Sequence, residues 1–309
     1  MTILTIRRTL VTLAAVLATA ATAATAATTA SAAGENDVTA FSAADRAAAL
    51  AYWTPEKMKA AGADTIDRVE QVAKRWAGPG PQGVGRLFFT EVSPGEAPLD
   101  SWCTATAVPS TSGDVLVTAG HCAYAGLNRE DQVIPIKNSV FVPGYDQGRR
   151  PHGVFATRAL AFRHSYTTGS EPDVAMVVLD QQQGRHVAQV AGTQRISFDH
   201  KGTTQAAIVG YPGSKAYFGE ALMWCDLPTH QDPTVSDHWM STCDMAGGSS
   251  GGPWFDGFNR WTGYGEIFSV TSRGELDYDE TTGESKTLSL EGAPLGADAK
   301  NLYEAAEKL

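Results

Sequence analysis

One serine in this chain is set among four glycines. The stretch Gly247-Gly248-Ser249-Ser250-Gly251-Gly252-Pro253 follows Asp244-Met245-Ala246 and runs into Trp254. Glycine-dense backbone gives up much conformational entropy, so it occurs where unusual dihedrals or close backbone approach are needed. Two backbone N–H groups can then converge beside one hydroxyl. Acyl transfer needs that arrangement, a nucleophile next to donors aimed at a developing oxyanion. A Gly/Ser-rich surface turn has the same composition, so the reading depends on partners elsewhere in the chain.

The partners are constrained by order. Gly248-Ser249-Ser250-Gly251-Gly252 satisfies a G-x-S-x-G elbow, whose triad runs serine, acid, histidine. All seven histidines precede Ser250, the last being His238, so that order is excluded unless permuted. The order histidine, aspartate, serine remains open. Val115-Leu-Val-Thr-Ala-Gly-His121-Cys122 puts a histidine at the end of an apolar run. A general base has to be held rigidly, because a misplacement of about 1 Å can cost about a hundredfold in rate. Glu171-Pro-Asp173-Val-Ala-Met-Val-Val-Leu179 puts an acid directly before another apolar run. An acid at a buried position needs hydrogen-bonding partners, and a histidine N–H is one. Asp146 and Asp180 are rival acids, but neither opens an apolar strand. His230, Asp232, Asp237 and His238 match no zinc spacing, and no metal site is expected.

The chain's bulk properties fit an exported globular protein. Its 309 residues are 43% hydrophobic with 31 glycines, and the net charge of −10 argues against a nucleic-acid partner. Residues 1–33 read as an export signal, with Arg7-Arg8, an apolar run from Leu10 to Ala27 and a cleavage pattern Ala30-Ser31-Ala32. No later stretch is long and apolar enough to span a bilayer. Export places the four cysteines in an oxidising compartment, where three pairings are open. They fall as two local groups, Cys103 with Cys122 and Cys225 with Cys243, and local pairing is expected. Each bridge would close a loop of about 20 residues, worth roughly 3 kcal/mol in the chain-entropy picture.

The elements that must position these residues are short strands. Residues 34–82 form an Ala-rich leader with a helix starting at Thr54-Pro55-Glu56. Ile66, Val69, Val72, Ala73 and Trp76 recur at helical spacing before the breaker cluster Gly78-Pro79-Gly80-Pro81. In an exported protein such a leader reads as a prosegment. From Val84 onward, short β-type runs alternate with Gly/Pro/Asp turns, including Val84–Val92, Cys103–Val108, Val115–Ala119, Val174–Leu179, Gln205–Val209 and Gly263–Val270. This texture specifies an all-β barrel or sandwich. Residues 276–309 are expected to be an acidic mobile loop, reaching Glu291, then a short helix carrying Leu302, Ala305, Ala306 and Leu309.

The Thr-Ala-Gly-His-Cys box, the Asp-Val-Ala-Met-Val-Val-Leu strand and the Gly-Gly-Ser-Ser-Gly-Gly-Pro loop, in this order, resemble the trypsin-like (chymotrypsin-fold) serine peptidases. Gly85-Arg-Leu-Phe-Phe-Thr with Cys103-Thr-Ala looks most like the secreted bacterial V8-like branch. The resemblance implies two six-stranded antiparallel β-barrels over residues 83–275, with the active site between them. It implies His121 as base, Asp173 as its orienting acid, Ser250 as nucleophile and the N–H groups of Gly248 and Ser250 as oxyanion hole. It further implies protein or peptide substrates, a monomer, no membrane contact after signal removal, and no metal or organic cofactor. Where the family commonly has Asp before the nucleophile, this chain has Ser249, so activation by a new N-terminal amine paired to that acid is not expected. Asp244 occupies the position that in trypsin-type enzymes binds Arg or Lys. Phe268 stands near where glutamate-specific members carry a histidine, and Ser269 is expected to support the Asp173 carboxylate. A catalytically silent binding protein on the same fold is the alternative.

Overall fold

The computed structural model describes residues 35–61, 70–169, 172–214, 217–231 and 237–309. The expected export signal, and Ile66, Val69, Glu171 and Asp232, lie outside the described residues. The chain opens with β1 (Asn36–Ala40), α1 (Ala43–Tyr52) and α2 (Pro55–Ala60). Their boundaries are chemically marked. Ser42 and Asp45 form a capping box on α1, and Thr54 caps α2 with Pro55 at its first position.

Six strands then build a closed barrel: β2 (Val84–Glu91), β3 (Leu99–Ala107), β4 (Val115–Thr118), β5 (Lys137–Pro143), β6 (Phe155–Arg163) and β7 (Ala175–Leu179). They run in the order β6-β7-β4-β3-β2-β5, and β5 pairs back onto β6. These strands are apolar on both faces for a reason. Leu87, Phe89, Leu116, Phe141, Leu160, Phe162, Val177 and Leu179 belong to one buried cluster. Their neighbours Phe88, Val117, Val140, Val142, Met176 and Val178 belong to a second, shared with Trp53 and Met58 of the leader and Leu302 of the tail. A strand covered on both sides reads as a continuous apolar run, not an alternating one.

The second sheet contains β8 (Gln205–Gly210), β9 (Met223–Pro228), β10 (Trp239–Ser241), β11 (Pro253–Asn259), β12 (Tyr264–Asp279) and β13 (Glu284–Pro294). Their order is β10-β13-β12-β11-β8-β9, a half-barrel whose ends are not joined by a pairing among the described residues. The mostly-β chymotrypsin-like architecture expected from the sequence is thus present. The final helix α3 (Ala297–Ala306) buries Ala299, Leu302 and Ala306 against the first barrel. Among the described residues no helix is long and apolar enough to cross a membrane.

Two expectations are corrected. Residues 276–291 are not a mobile loop, because β12 and β13 pair from Ser269↔Pro294 out to Asp279↔Glu284. The turn is built by Asp279, whose Oδ1 accepts the N–H groups of Thr281 and Thr282, and by Gly283 at a φ of 71°. Glu275, Asp277 and Glu280 are exposed on this ribbon, while Ser285, Thr287 and Ser289 of its second strand are buried. Residues 74–76 are also not helical: Lys74–Arg75 pairs with Met223 and Trp224 of β9, and Trp76 packs on Trp224 and Phe258. The preceding residues bend, and the N–H groups of Gln71, Val72 and Ala73 converge on the Asp244 carboxylate.

The leader is bound into the first barrel. β1 extends the sheet at β6, and Trp53 is buried with its ring 5.1 Å from Phe88 and its Nε1 donating to Asn138 O at 2.6 Å. Trp53→Ala in the full chain is expected to destabilise it by about 3–5 kcal/mol, as for other buried aromatic truncations. Urea unfolding measures this; an unchanged midpoint would show that the leader is not part of the cooperative unit.

Candidate active site

His121 sits in a short helical turn, Gly120–Cys122, that ends the β4 run. The Cys103–Cys122 disulfide ties that turn to β3. Asp173 lies just before β7, is 3% exposed, and reaches the histidine twice. Its Oδ1 accepts the His121 backbone N–H at 2.9 Å, and its Oδ2 lies 2.9 Å from His121 Nδ1. β7 pairs with β4 in the register Ala175↔Thr118, so sheet pairing alone brings the acid beside the base. The rival acids are engaged elsewhere, Asp180 with Arg46 and Asp146 with Arg149 and Arg75.

A third donor completes the carboxylate's surroundings. Ser272 Oγ donates to Asp173 Oδ2 at 2.6 Å. The expected supporter, Ser269, instead donates to Ala293 O at 2.8 Å and is fully buried against β13. The two serines have opposite parity along β12, and the register with β13 shifts between Thr271 and Arg273. A strand turns one residue in two towards a given face, so the choice of serine could not be made without that register. Phe268 is likewise not at the site: its ring stacks on His200 at 4.3 Å and meets Trp239 edge-on at 5.1 Å inside the second sheet's core.

The loop bearing Ser250 is pinned from both barrels. Ser250 O accepts Thr104 N–H at 2.8 Å, and Gly251 N–H donates to Thr271 O at 2.7 Å. Gly251 has a φ of 74°, and a Cβ there would lie 2.1 Å from Thr118 Oγ1 and 2.8 Å from Ala119 N. Only a residue without a side chain lets the serine's neighbour close on the strand end that carries His121. Gly248, at φ 87°, lies against Trp102, with a built Cβ 2.5 Å from its Nε1. The Gly248 and Ser250 N–H groups donate to no acceptor among the described residues. Ser249 folds inward, its hydroxyl donating to Ala246 O at 2.7 Å, so the residue that replaces the family's usual Asp closes its own turn.

The charges follow from these contacts. Burial disfavours the His121 imidazolium, but the hydrogen bond and charge of Asp173 outweigh it and raise the pKa above the ordinary histidine value. Burial would likewise raise Asp173, but the bonds from His121 and Ser272 outweigh it and hold its pKa below the ordinary value. His121, Tyr166, Asp173, Ser272 and Arg273 line a hollow of about 250 Å³. Of these, Tyr166, Ser272 and Arg273 belong to no motif in the sequence; for the last two the only signal is the polar run Thr271-Ser272-Arg273 that follows Val270. The donor atoms of Cys103, Cys122 and His121 lie within 4.8 Å of one another, but both sulfurs are committed to the disulfide, leaving no thiolate for a metal. The second expected disulfide, Cys225–Cys243, is also formed. Asp244 does not open onto this hollow, since its carboxylate is 2.6–2.9 Å from three backbone N–H groups.

Comparison with known proteins agrees with this fold. A family model described as a trypsin-like peptidase domain matches residues 103–263. The chain is similar to the protease Anisep from Arthrobacter nicotinovorans, at 27% identity over 77% of this chain and 100% of that one, with a TM-score of 0.64. It is also similar to the thermostable serine protease AL20 from an extremophilic microorganism, at 30% identity over 74% and 98% of the two chains, with a TM-score of 0.63. A Glu endopeptidase shares the fold, at 18% identity, 79% and 100% coverage and a TM-score of 0.56. No curated protein sequence matches.

Ser272→Ala removes a hydrogen bond to a buried charge, a contact worth about 1.5–3 kcal/mol. It is expected to lower kcat/KM on a peptide substrate roughly tenfold or more while Ser269→Ala leaves it within twofold. Steady-state kinetics on the two variants tests the assignment, and the reverse ranking would sink it.

Proposed function

This chain belongs to the trypsin-like peptidase family, and we propose that it is an exported serine endopeptidase of the V8-like branch working through His121, Asp173 and Ser250. The observation that carries the proposal is the relay from Ser272 through Asp173 to His121, with the Ser250 loop pinned to the same strand ends.

The chemistry follows from the contacts. Asp173 accepts from Nδ1–H, so Nε2 carries the lone pair and is the basic nitrogen. Ser250 Oγ attacks the scissile carbonyl carbon as its proton passes to His121 Nε2. The carbonyl π pair moves onto oxygen, and the N–H groups of Gly248 and Ser250 hold that oxyanion. Collapse expels the amine, which takes the proton from His121 and leaves an ester on Ser250. Water then attacks the ester with His121 as base again, releasing the acid and restoring the serine. No step calls for a metal or organic cofactor.

Export is supported by the signal-like first 33 residues and by two disulfides. The leader's role as a prosegment is read as folding assistance. Among the described residues, 35–61 contact Arg158–Arg163, Asn138, Asp100 and Asp180, and 70–76 contact Asp244, Ser214 and β9, none of them a triad residue, which favours bracing the two halves over covering the cleft.

Ser250→Ala is expected to abolish peptide-library cleavage and labelling by a fluorophosphonate, both read by mass spectrometry. A wild-type protein that neither cuts nor labels would favour the silent binding protein. The raised His121 pKa gives a second expectation. The base works only when neutral, so kcat/KM should rise with pH through an apparent pKa above the ordinary value of about 6.5. Asp173→Asn should lower that limb along with the rate.

A further inference from the structure

Asp244 stands six residues before Ser250, and its surroundings point away from substrate binding. The carboxylate is 7% exposed. Oδ2 accepts the N–H groups of Gln71 at 2.6 Å and Val72 at 2.9 Å, and Oδ1 accepts Ala73 N–H at 2.8 Å. Three consecutive backbone donors on one carboxylate form a closed anion nest, which leaves the oxygens little capacity for a substrate cation. Glu70 extends the same contact. Its Oε2 accepts the Ser214 hydroxyl at 2.6 Å, and the Ala246 N–H also faces its carboxylate. The turn ending at Ser214 is in turn bonded to the nucleophile loop, since Gly213 N–H donates to Gly247 O at 2.6 Å. Downstream, Lys74–Arg75 pairs onto β9, so the segment is held at its far end too.

We propose that residues 70–73 are a built-in brace for the loop that carries the oxyanion donors, and that Asp244 is a positioning residue that holds this brace and does not select a basic P1 side chain. The inference rests on the endopeptidase reading for its effect on rate. The loop from 244 to 252 holds four glycines and so costs much entropy to order. Fixing its first residue to an outside segment, and its middle to the Ser214 turn, restricts where the Gly248 and Ser250 N–H groups can point. Any cut that releases the leader must then leave Glu70 on the peptidase side.

The test uses the full chain and the variants Asp244→Ala, Asp244→Asn and Ser250→Ala. Asp244→Asn keeps the side-chain shape but sets an amide NH2 against backbone donors, so it remains informative if the alanine variant does not fold. Asp244→Asn is expected to lower kcat by about 10²-fold, the scale of losing one oxyanion donor, with KM within threefold and the P1 profile of a peptide library unchanged. Hydrogen exchange resolved to single amides by mass spectrometry should show the N–H groups of Gln71, Val72, Ala73, Ala246 and Ser249 protected in wild type and in Ser250→Ala but deprotected in both Asp244 variants. Intact kcat with selective loss of cleavage after Arg and Lys would overturn the proposal and restore Asp244 as a specificity residue. So would unchanged exchange in both Asp244 variants. If wild type never cleaves, the peptidase reading fails, and the exchange pattern alone still decides whether the brace exists.

Discussion

A buried carboxylate is the constraint on which the arrangement depends. Asp173 is 3% exposed, and an ionised group at such depth is tolerated only when hydrogen-bonded donors surround it. The donors come from far along the chain: the backbone and ring of His121, 52 residues earlier, and the hydroxyl of Ser272, 99 residues later. The first pair is delivered by pairing within the closed barrel, the third by a strand of the other sheet. Neither sheet can settle fully without the other, because a half-satisfied anion would remain between them. One of these bonds orients the imidazole at Nδ1 and the other two hold the carboxylate that makes it, so what stabilises the junction also sets the site's geometry.

A second buried charge crosses the same junction. Arg86 on β2 is fully buried, with its guanidinium 4.4, 4.2 and 4.8 Å from the rings of Phe88, Trp102 and Tyr145. Glu220 of the second half lies 3.1 Å away. Burial lowers the arginine's pKa to about 10, against the opposing charges around it, which still leaves it a cation at neutral pH. Trp102 passes the contact on: one face receives Arg86, its Nε1 donates to Tyr211 O at 2.8 Å, and Gly248 lies against it. A rigid aromatic wall under Gly248 limits how far that peptide can rotate. The loop is therefore held from beneath by Trp102 and from its start by the nest around Asp244.

Much of this was legible in the sequence because it was local. A histidine ending an apolar run, an acid opening another and a serine among glycines are each set by neighbours one or two positions away. The features that were not legible depend on register or on distant capture. Ser272, not Ser269, supports Asp173 because β12 slips against β13 between Thr271 and Arg273, a detail that composition does not encode. Val72, Ala73 and Trp76 carry a helical period, yet residues 71–72 bend around a carboxylate 171 to 173 residues away that takes three successive N–H groups, and Lys74–Arg75 then pairs as a strand. Residues 276–291 have the composition of a solvated loop, and only the Asp279–Gly283 turn chemistry betrays a hairpin.

The coupled pair also places stability and reactivity on opposite sides of the raised His121 pKa. Asp173 has a lowered folded pKa, so its contribution is present above its unfolded value and is lost as pH falls through the folded one. His121 has a raised folded pKa, so its contribution is complete below its unfolded value and is lost as pH rises through the folded one. The ion pair is therefore fully formed between the lowered aspartate pKa and the raised histidine pKa. In that window His121 holds the proton it must accept from Ser250, so the fold is best supported where the base is blocked. Raising the pH releases the base and removes the charge attraction in one step. The neutral imidazole then stays in place through its Nδ1 hydrogen bond and the fixed turn between Gly120 and Cys122, which the disulfide holds regardless of protonation.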